Sequence, residues 1–146
     1  MNGPIVVVDT SIVVGAKNPS EREHADCTRV LELAHTHRFR PLLSAVSVSE
    51  VCVEYRAEED ENGRRIFLDY VRSANVFELV PVDLQVADEA ARIRAGSGLR
   101  LPDAIIVATG VLGKAEFMVT HDLAFGKSNK LLPASSAKEL VTRLTR

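Results

Sequence analysis

Residues 4–11 read Pro-Ile-Val-Val-Val-Asp-Thr-Ser, an apolar run that ends at the carboxylate of Asp9. Such a run of β-branched residues is typical of a strand that is buried on both faces of a parallel sheet. A buried charge destabilises a protein by several kcal/mol unless it is paired, hydrogen-bonded or bound to a metal. Asp9 is therefore predicted either to cap a short helix or to serve a functional site.

The rest of the chain alternates β-branched runs with segments of helical period, which favours an α/β fold with a parallel sheet covered by helices. Strands are predicted near residues 4–8, 41–45, 76–80 and 116–120, with a short fifth strand near 131–132. Helices are predicted at 22–37, around 66–71 after an Asn62-Gly63 turn, at 84–95, from near Pro102, and from Ser136 toward Arg146. The Ser136-x-x-Glu139 pattern predicts a capping box at the start of the last helix.

Composition sets the broad class. The 146 residues, 46% of them hydrophobic, are enough for one core, so a single domain over residues 1–146 is expected. No apolar run approaches the roughly 20 residues of a membrane helix and no signal sequence is present, which predicts a cytoplasmic protein without membrane contact. Cys27 and Cys52 fit neither a disulfide framework nor zinc-ligand spacing, and reduced thiols in or near the core are expected. The net charge of −2 argues against a protein that coats nucleic acid.

Three further acids occupy apolar or junctional positions like that of Asp9. Glu50 lies in Ser-Val-Ser-Glu-Val, Asp103 in Leu-Pro-Asp-Ala-Ile-Ile, and Asp122 in Val-Thr-His-Asp. Asp9 and Asp122 follow predicted strands, whereas Glu50 and Asp103 stand at the starts of predicted helices. Residues just past the carboxyl ends of parallel strands meet at one edge of the sheet, so the four acids are predicted to share one cleft.

Crowded carboxylates raise one another's pKa, and a divalent cation relieves the repulsion between them. Oxygen ligands favour Mg²⁺, with Mn²⁺ as a substitute, over zinc. The chemistry that matches such a site is phosphodiester hydrolysis assisted by one or two metal ions.

Asp9 and Asp103 are the predicted direct metal ligands. For Glu50 and Asp122 three roles stay open: binding a second ion, orienting the attacking water, or acting through metal-bound waters. Hydroxyl groups suited to orienting the ligands or contacting a phosphate are those of Thr10, Ser11 and Thr120.

Each acid also has a purely structural explanation. Asp9 and Asp103 suit helix N-termini, Asp122 suits a turn, and Ser47-x-x-Glu50 is itself a capping box. Four unrelated caps would meet at one edge less often than the members of one site. The functional hypothesis is therefore favoured for the set, and capping does not exclude metal binding.

Signatures of other chemistries are missing from the sequence. No Gly-x-x-x-x-Gly-Lys phosphate loop or Gly-x-Ser-x-Gly elbow occurs. A phosphoaspartate phosphatase would carry a second aspartate at the position of Ser11. A phosphoacceptor signalling domain would carry adjacent acids after its first strand. The absence of tryptophan argues against a platform for stacking nucleic-acid bases.

Taken in order, the four blocks around these acids resemble the PIN-domain nucleases, and among them the VapC-type toxins of toxin–antitoxin pairs. The resemblance extends from Ile5 to about Leu132, and residues 101–106 are its most specific part. Matched position by position, the metal-binding acids of the family fall on Asp9 and Asp103, its glutamate on Glu50 and its last acid on Asp122. The chain departs from the family pattern at residue 121, where histidine replaces the usual asparagine.

The resemblance implies a three-layer α/β/α fold with a mainly parallel sheet, Mg²⁺-dependent endoribonuclease activity on structured RNA, homodimerisation, and inhibition by a cognate antitoxin protein. Two alternatives stay open: a PIN-like module that binds RNA or a protein without cutting, and a housekeeping RNA-processing nuclease. Basic residues near the predicted cleft, each either a phosphate contact or ordinary surface charge, are Arg92, Arg94, Arg100, Lys127 and Lys130. His121 is expected either to be a loop residue that faces water or to donate a hydrogen bond to a phosphate or carboxylate in the site. His24, His35 and His37 are expected on the surface.

Overall fold

A computed structural model describes residues 3–73, 75–128 and 130–146, apart from the side chain of Lys127. The prediction that Lys127 is either a phosphate contact or a surface charge therefore lies outside the described residues. The central sheet contains five parallel strands, in the spatial order β3-β2-β1-β4-β5. The strands are β1 (Ile5–Val8), β2 (Arg40–Ser44), β3 (Glu78–Val80), β4 (Phe117–Val119) and β5 (Ala134–Ser135). The first four confirm the prediction. The fifth was predicted near 131–132 and lies later in the chain, because Leu132 is buried in the core instead.

Helices cover both faces of the sheet. They are α1 (Thr10–Lys17), α2 (His24–His35), α3 (Ala45–Ala57), α4 (Glu61–Ser73), α5 (Leu84–Ser97), α6 (Leu101–Leu112) and α7 (Ala137–Leu144), with a short 3₁₀ helix at Leu123–Ser128. Val6 and Val8 of β1 belong to a core formed with α1, α2, α4 and α7, whereas Val7 belongs to a core formed with α5 and α6. This alternation confirms the predicted three-layer α/β/α arrangement.

Capping side chains explain two errors in the helix predictions. Asn62 and Gly63 lie inside α4 rather than in a turn, because the side chain of Asp60 accepts a hydrogen bond from the Gly63 amide at 2.8 Å and starts the helix earlier. The predicted Ser47–Glu50 capping box is also wrong. Ser44 caps α3 by accepting a hydrogen bond from the Val46 amide, and Ser47 is buried within the helix.

Other sequence predictions fare better. The capping box at Ser136 and Glu139 is confirmed. Both cysteines are free thiols, with Cys27 buried and Cys52 half-buried. The buried face of α2 consists of Cys27, Val30, Leu33 and Ala34. No single described helix is long and apolar enough to cross a membrane. Helices α5 and α6 together have sufficient length and apolar composition, but the chain bends by 118° between them.

Helix α6 lies close against β1. A Cβ atom at Gly110 would lie 2.7 Å from Val7 Cγ2 and 2.6 Å from a methyl group of Leu132, so glycine permits this approach. The strand order reverses between β1 and β4, and ligands of open α/β sheets bind at such a reversal. Asp9 directly follows β1 there, and Thr120 directly follows β4.

Candidate active site

Asp9 is buried at the carboxyl end of β1, where it is 4% exposed and caps α1. Its Oδ2 atom accepts hydrogen bonds from Ser11 Oγ and Thr120 Oγ1, each at 2.7 Å, and a longer one of 3.4 Å from the Ser11 amide. Its Oδ1 atom accepts no hydrogen bond from the described residues. The capping explanation of Asp9 is therefore correct, and it leaves one carboxylate oxygen available.

The two hydroxyl groups that donate to Asp9 each accept a hydrogen bond from a backbone amide. Ser11 Oγ accepts from the His121 amide at 3.0 Å, and Thr120 Oγ1 accepts from the Asp122 amide at 2.9 Å. Because a hydroxyl group carries one proton, both hydroxyls direct it at Asp9. Of the two roles open to Ser11 and Thr120, this geometry favours orienting the carboxylate over contacting a phosphate.

Burial raises the pKa of the Asp9 carboxyl group above its usual value. Hydrogen bonds from Ser11 and Thr120 oppose this shift but do not cancel it. Among the described residues, no cationic side chain forms an ion pair with Asp9. A buried carboxylate without a counter-ion is unfavourable, so this position suits an added cation.

Glu50 lies on the second turn of α3 and is half-buried. Its Oε1 atom accepts a hydrogen bond of 2.7 Å from Thr10 Oγ1, at the first residue of α1. This bond joins α3 to the residue that follows Asp9 in the chain. Thr10 thus orients Glu50 toward the same edge of the sheet, as the sequence predicted.

Asp103 lies in the first turn of α6, where it is 4% exposed. It forms a two-point ion pair with Arg100, in which Nε lies 3.3 Å from Oδ2 and Nη2 lies 3.5 Å from Oδ1. The pKa of Arg100 is raised by Asp103 first, and the negative charges of Glu50 and Asp122 add to this effect. Of the predicted acids, Asp103 is the one that forms an ion pair with Arg100, and the charges of Glu50 and Asp122 act on the guanidinium group from farther away.

Asp122 follows β4 and opens the 3₁₀ helix, because its Oδ1 atom accepts a hydrogen bond of 2.9 Å from the Ala124 amide. The turn explanation is thus correct for this residue as well. The side chain is half-buried and borders a cleft of about 290 Å³, which Thr120, Ser136 and Glu139 also line. Asp122 connects the acidic edge to an open space beside it.

The four acids are linked indirectly, through the Thr120 hydroxyl group and the charge of Arg100. Thr120 connects Asp9 to Asp122, and the charge of Arg100 connects Glu50, Asp103 and Asp122. Within the described parts of the chain, no three carboxylate, imidazole or thiol groups form a ready-made metal site. We refer to Asp9, Glu50, Asp103 and Asp122 as the acidic edge.

Sequence reasoning missed two features of this edge. Arg100 was predicted to flank the cleft, yet it lies among the acids, and its spacing of three residues from Asp103 in a helix N-terminus was the available signal. The prediction that His121 faces water is wrong for its ring, because Nε2 is buried and has no partner among the described residues.

The remaining candidates lie on the surface. Arg92 pairs with Glu89 on α5, and Arg94 and Lys130 are exposed. His35 and His37 are exposed as predicted, whereas His24 is half-buried with Nδ1 2.9 Å from the Gly15 carbonyl oxygen.

An open parallel sheet with carboxylates beside its strand-order reversal defines a class of α/β proteins that bind ligands at that point. The family model "PIN domain" matches residues 6–131. The chain therefore belongs to the PIN domain family, which confirms the family predicted from the sequence. No curated protein sequence matches it significantly.

Solved structures confirm the fold. VapC20 of Mycobacterium tuberculosis, described as a Sarcin-Ricin loop cleaving toxin, is 14% identical, with a TM-score of 0.72 over 88% of this chain and 97% of that chain. The FitAcB structure from Neisseria gonorrhoeae is 17% identical, with a TM-score of 0.69 and coverage of 91% and 98%. A toxin–antitoxin complex from Klebsiella pneumoniae is 20% identical, with a TM-score of 0.66 and coverage of 90% and 97%.

Proposed function

We propose that the protein is a metal-dependent endoribonuclease and the toxin of a toxin–antitoxin pair. The observation that carries the proposal is the buried carboxylate of Asp9, which lies at the strand-order reversal of a PIN domain without a counter-ion. Membership in the PIN family supports nuclease activity. The similar structures, which include toxin–antitoxin complexes and an RNA-cleaving toxin, support the biological role.

The residues of the acidic edge fit a hard divalent cation. Their donors are carboxylate oxygens, the ligands that Mg²⁺ prefers, and Asp9 Oδ1 accepts no hydrogen bond from a described side chain. Asp9 and Asp103 would hold Mg²⁺, or Mn²⁺ in its place. When bound, the ion supplies an activated water and neutralises charge on the phosphate under attack.

The protein side chains orient and move protons around this centre. Ser11 and Thr120 fix the rotation of Asp9, and Thr10 fixes Glu50. Glu50 Oε2 and Asp122 Oδ2 have no hydrogen-bond partner among the described residues. Each is therefore free to orient the attacking water or to accept its proton, as a general base does.

A cognate antitoxin and a homodimer complete the proposal; the antitoxin is supported by similarity to solved toxin–antitoxin complexes, and the homodimer by the family resemblance alone. Val51, Phe67 and Val71 are buried in the core of this chain, so they are not available to a partner. Val53 on α3 and Ile66 on α4 are instead exposed, at 64% and 62%. These two exposed apolar side chains are available to a partner.

RNA cleavage tests the proposal. Purified protein is incubated with a structured RNA pool and Mg²⁺ or Mn²⁺, beside reactions with chelator, with Asp103→Asn, and with the exposed control Glu59→Gln. We expect cleavage by wild type and Glu59→Gln that disappears with chelator and in Asp103→Asn. Equal cleavage by Asp103→Asn would refute the site. RNA binding without cleavage by folded wild-type protein would instead support a non-cutting module.

A further inference from the structure

Arg100 carries a positive charge into the acidic edge. Both oxygens of Asp103 face its guanidinium group, and Glu50 and Asp122 also stabilise its charge. Asp103 receives no other hydrogen bond from the described residues. In this structure, Arg100 is therefore the group that neutralises the buried carboxylate of Asp103.

The contact is one that can be broken. Its two N···O distances, 3.3 and 3.5 Å, are longer than the roughly 2.7–2.9 Å of strong charge-assisted hydrogen bonds. The side chain of Arg100 is 71% exposed, whereas that of Asp103 is 6% exposed. Arg100 can thus turn into water, where its charge is well solvated, while Asp103 cannot follow it.

We propose that Arg100 is a built-in counter-ion that a divalent cation must displace from Asp103, so that Arg100 lowers the metal affinity of the acidic edge. The inference rests on the proposed function, because it requires Asp103 to be a metal ligand. Because both Asp103 oxygens face the guanidinium group, a metal ion would compete with Arg100 for the same carboxylate charge, and the two positive charges repel each other. The arrangement also accounts for the open geometry of the four acids, because Asp103 is held toward Arg100.

Mn²⁺ binding, followed by the electron paramagnetic resonance signal of free Mn²⁺, measures the effect without any RNA. Arg100→Gln removes the charge and Arg100→Lys keeps it. Arg29→Gln is the matched control, because Arg29 forms an exposed ion pair with Glu32 at the same spacing on α2. We expect Arg100→Gln to bind Mn²⁺ about two- to fivefold more tightly than wild type, since ion pairs with an exposed partner contribute on that scale. Arg100→Lys should stay near wild type, and Arg29→Gln should not differ from it.

Unchanged or weaker Mn²⁺ binding by Arg100→Gln would overturn the inference. Asp9→Asn in the same assay separates this failure from that of the proposed function. If Asp9→Asn abolishes binding while Arg100→Gln leaves it unchanged, the metal site stands and the role of Arg100 is wrong. If neither wild type nor Arg100→Gln shows Mn²⁺ binding that the Asp9→Asn change removes, both the proposed metal site and the role of Arg100 are wrong. Thermal unfolding supplies a second readout, in which Mn²⁺ should raise the melting temperature of Arg100→Gln more than that of wild type.

Discussion

Two acidic regions of this chain differ in almost every physical respect. The first is residues 58–61, Glu-Glu-Asp-Glu, where acids are adjacent in sequence, exposed, and placed between α3 and α4. The second is the acidic edge, whose members come from four distant parts of the chain and include two residues that are 4% exposed. The first is conspicuous in the sequence, and the second becomes visible only when strand ends are placed on a sheet.

The partners of the two regions explain the difference. Glu58 lies 2.7 Å from Lys17 Nζ, and Glu61 forms ion pairs with Arg56, Arg64 and Arg65. The acidic edge has hydroxyl groups around Asp9 and one arginine beside Asp103. The surface acids Glu58 and Glu61 are thus balanced by nearby bases, whereas the buried Asp9 has no cationic partner among the described residues. Burial without a counter-ion, rather than charge density, distinguishes the candidate site.

The largest expected difference between the regions is in catalysis. Asp9→Asn removes a proposed metal ligand and should lower the rate of RNA cleavage about a hundredfold or more, given that even residues supporting a ligand are worth 10–100-fold. Glu59→Gln should cleave at the wild-type rate. Initial rates on one RNA substrate measure both. Equal rates for the two variants would remove the distinction between the regions.

Thr120→Val tests how the edge is organised. The change removes the hydroxyl that donates to Asp9 and accepts from the Asp122 amide, so Asp9 Oδ2 keeps only its hydrogen bonds from Ser11 and the Asp122 amide loses its partner. We expect a loss of about 1–3 kcal/mol in the free energy of unfolding. We also expect a fall of about tenfold or more in cleavage rate.

Thr109→Val is the matched control for Thr120→Val. The Thr109 hydroxyl is also buried, but it donates within its own helix, to the Ile105 carbonyl oxygen at 2.8 Å. Urea unfolding and cleavage rates should change little in this variant. If Thr109→Val were as damaging as Thr120→Val, loss of any buried hydroxyl would explain both results.

The pH dependence of the free energy of unfolding, measured in the presence of chelator, should report the ionisation of Asp9. Burial raises the pKa of Asp9 in the folded protein above its ordinary value of 3.8. The contribution of protonated Asp9 to the free energy of unfolding is therefore fully present below the pKa that Asp9 has in the unfolded state. It is lost as the pH rises through the pKa of the folded state. Asp9→Asn lacks this ionisation. Relative to wild type, its free energy of unfolding should therefore increase as pH rises from about 4 toward neutrality. A constant difference across that range would show that Asp9 ionises without penalty.

The exposed region should respond in the opposite direction and more weakly. The pKa of Glu61 is lowered, chiefly by its hydrogen bond with Arg64, so its stabilisation is present above the unfolded pKa and is lost as pH falls. Glu61→Gln should be slightly less stable than wild type at neutral pH and equal to it in acid. Solvent and salt screen exposed pairs, which keeps the effect small. Melting temperatures at both pH values, at low salt, measure it.

Most of the fold could be predicted from the sequence because its signals are local. The apolar runs at β1, β2 and β4 and the Ser136–Glu139 capping box produced the expected elements. Errors arose where a side-chain cap competed with a turn signal, as when Asp60 placed Gly63 inside α4. The fifth strand was misplaced because two residues of pairing leave little trace in hydrophobic pattern.

The site was predictable in its residue types but not in its contacts. Strand ends and the Leu-Pro-Asp pattern indicated all four acids of the edge. The sequence could not show that Ser11 and Thr120 both donate to one oxygen of Asp9, because that depends on the pairing of β1 with β4. Nor could it show that the charges of Glu50 and Asp122 act on Arg100, since that depends on how α6 packs near α3 and the loop after β4.

The most direct test of the account is a crystal structure of the protein with Mn²⁺, examined by anomalous scattering. The account predicts a peak bound to Asp9 Oδ1 and Asp103, with the Arg100 guanidinium turned away from Asp103. A peak among residues 58–61, or none at the acidic edge at saturating Mn²⁺, would contradict it.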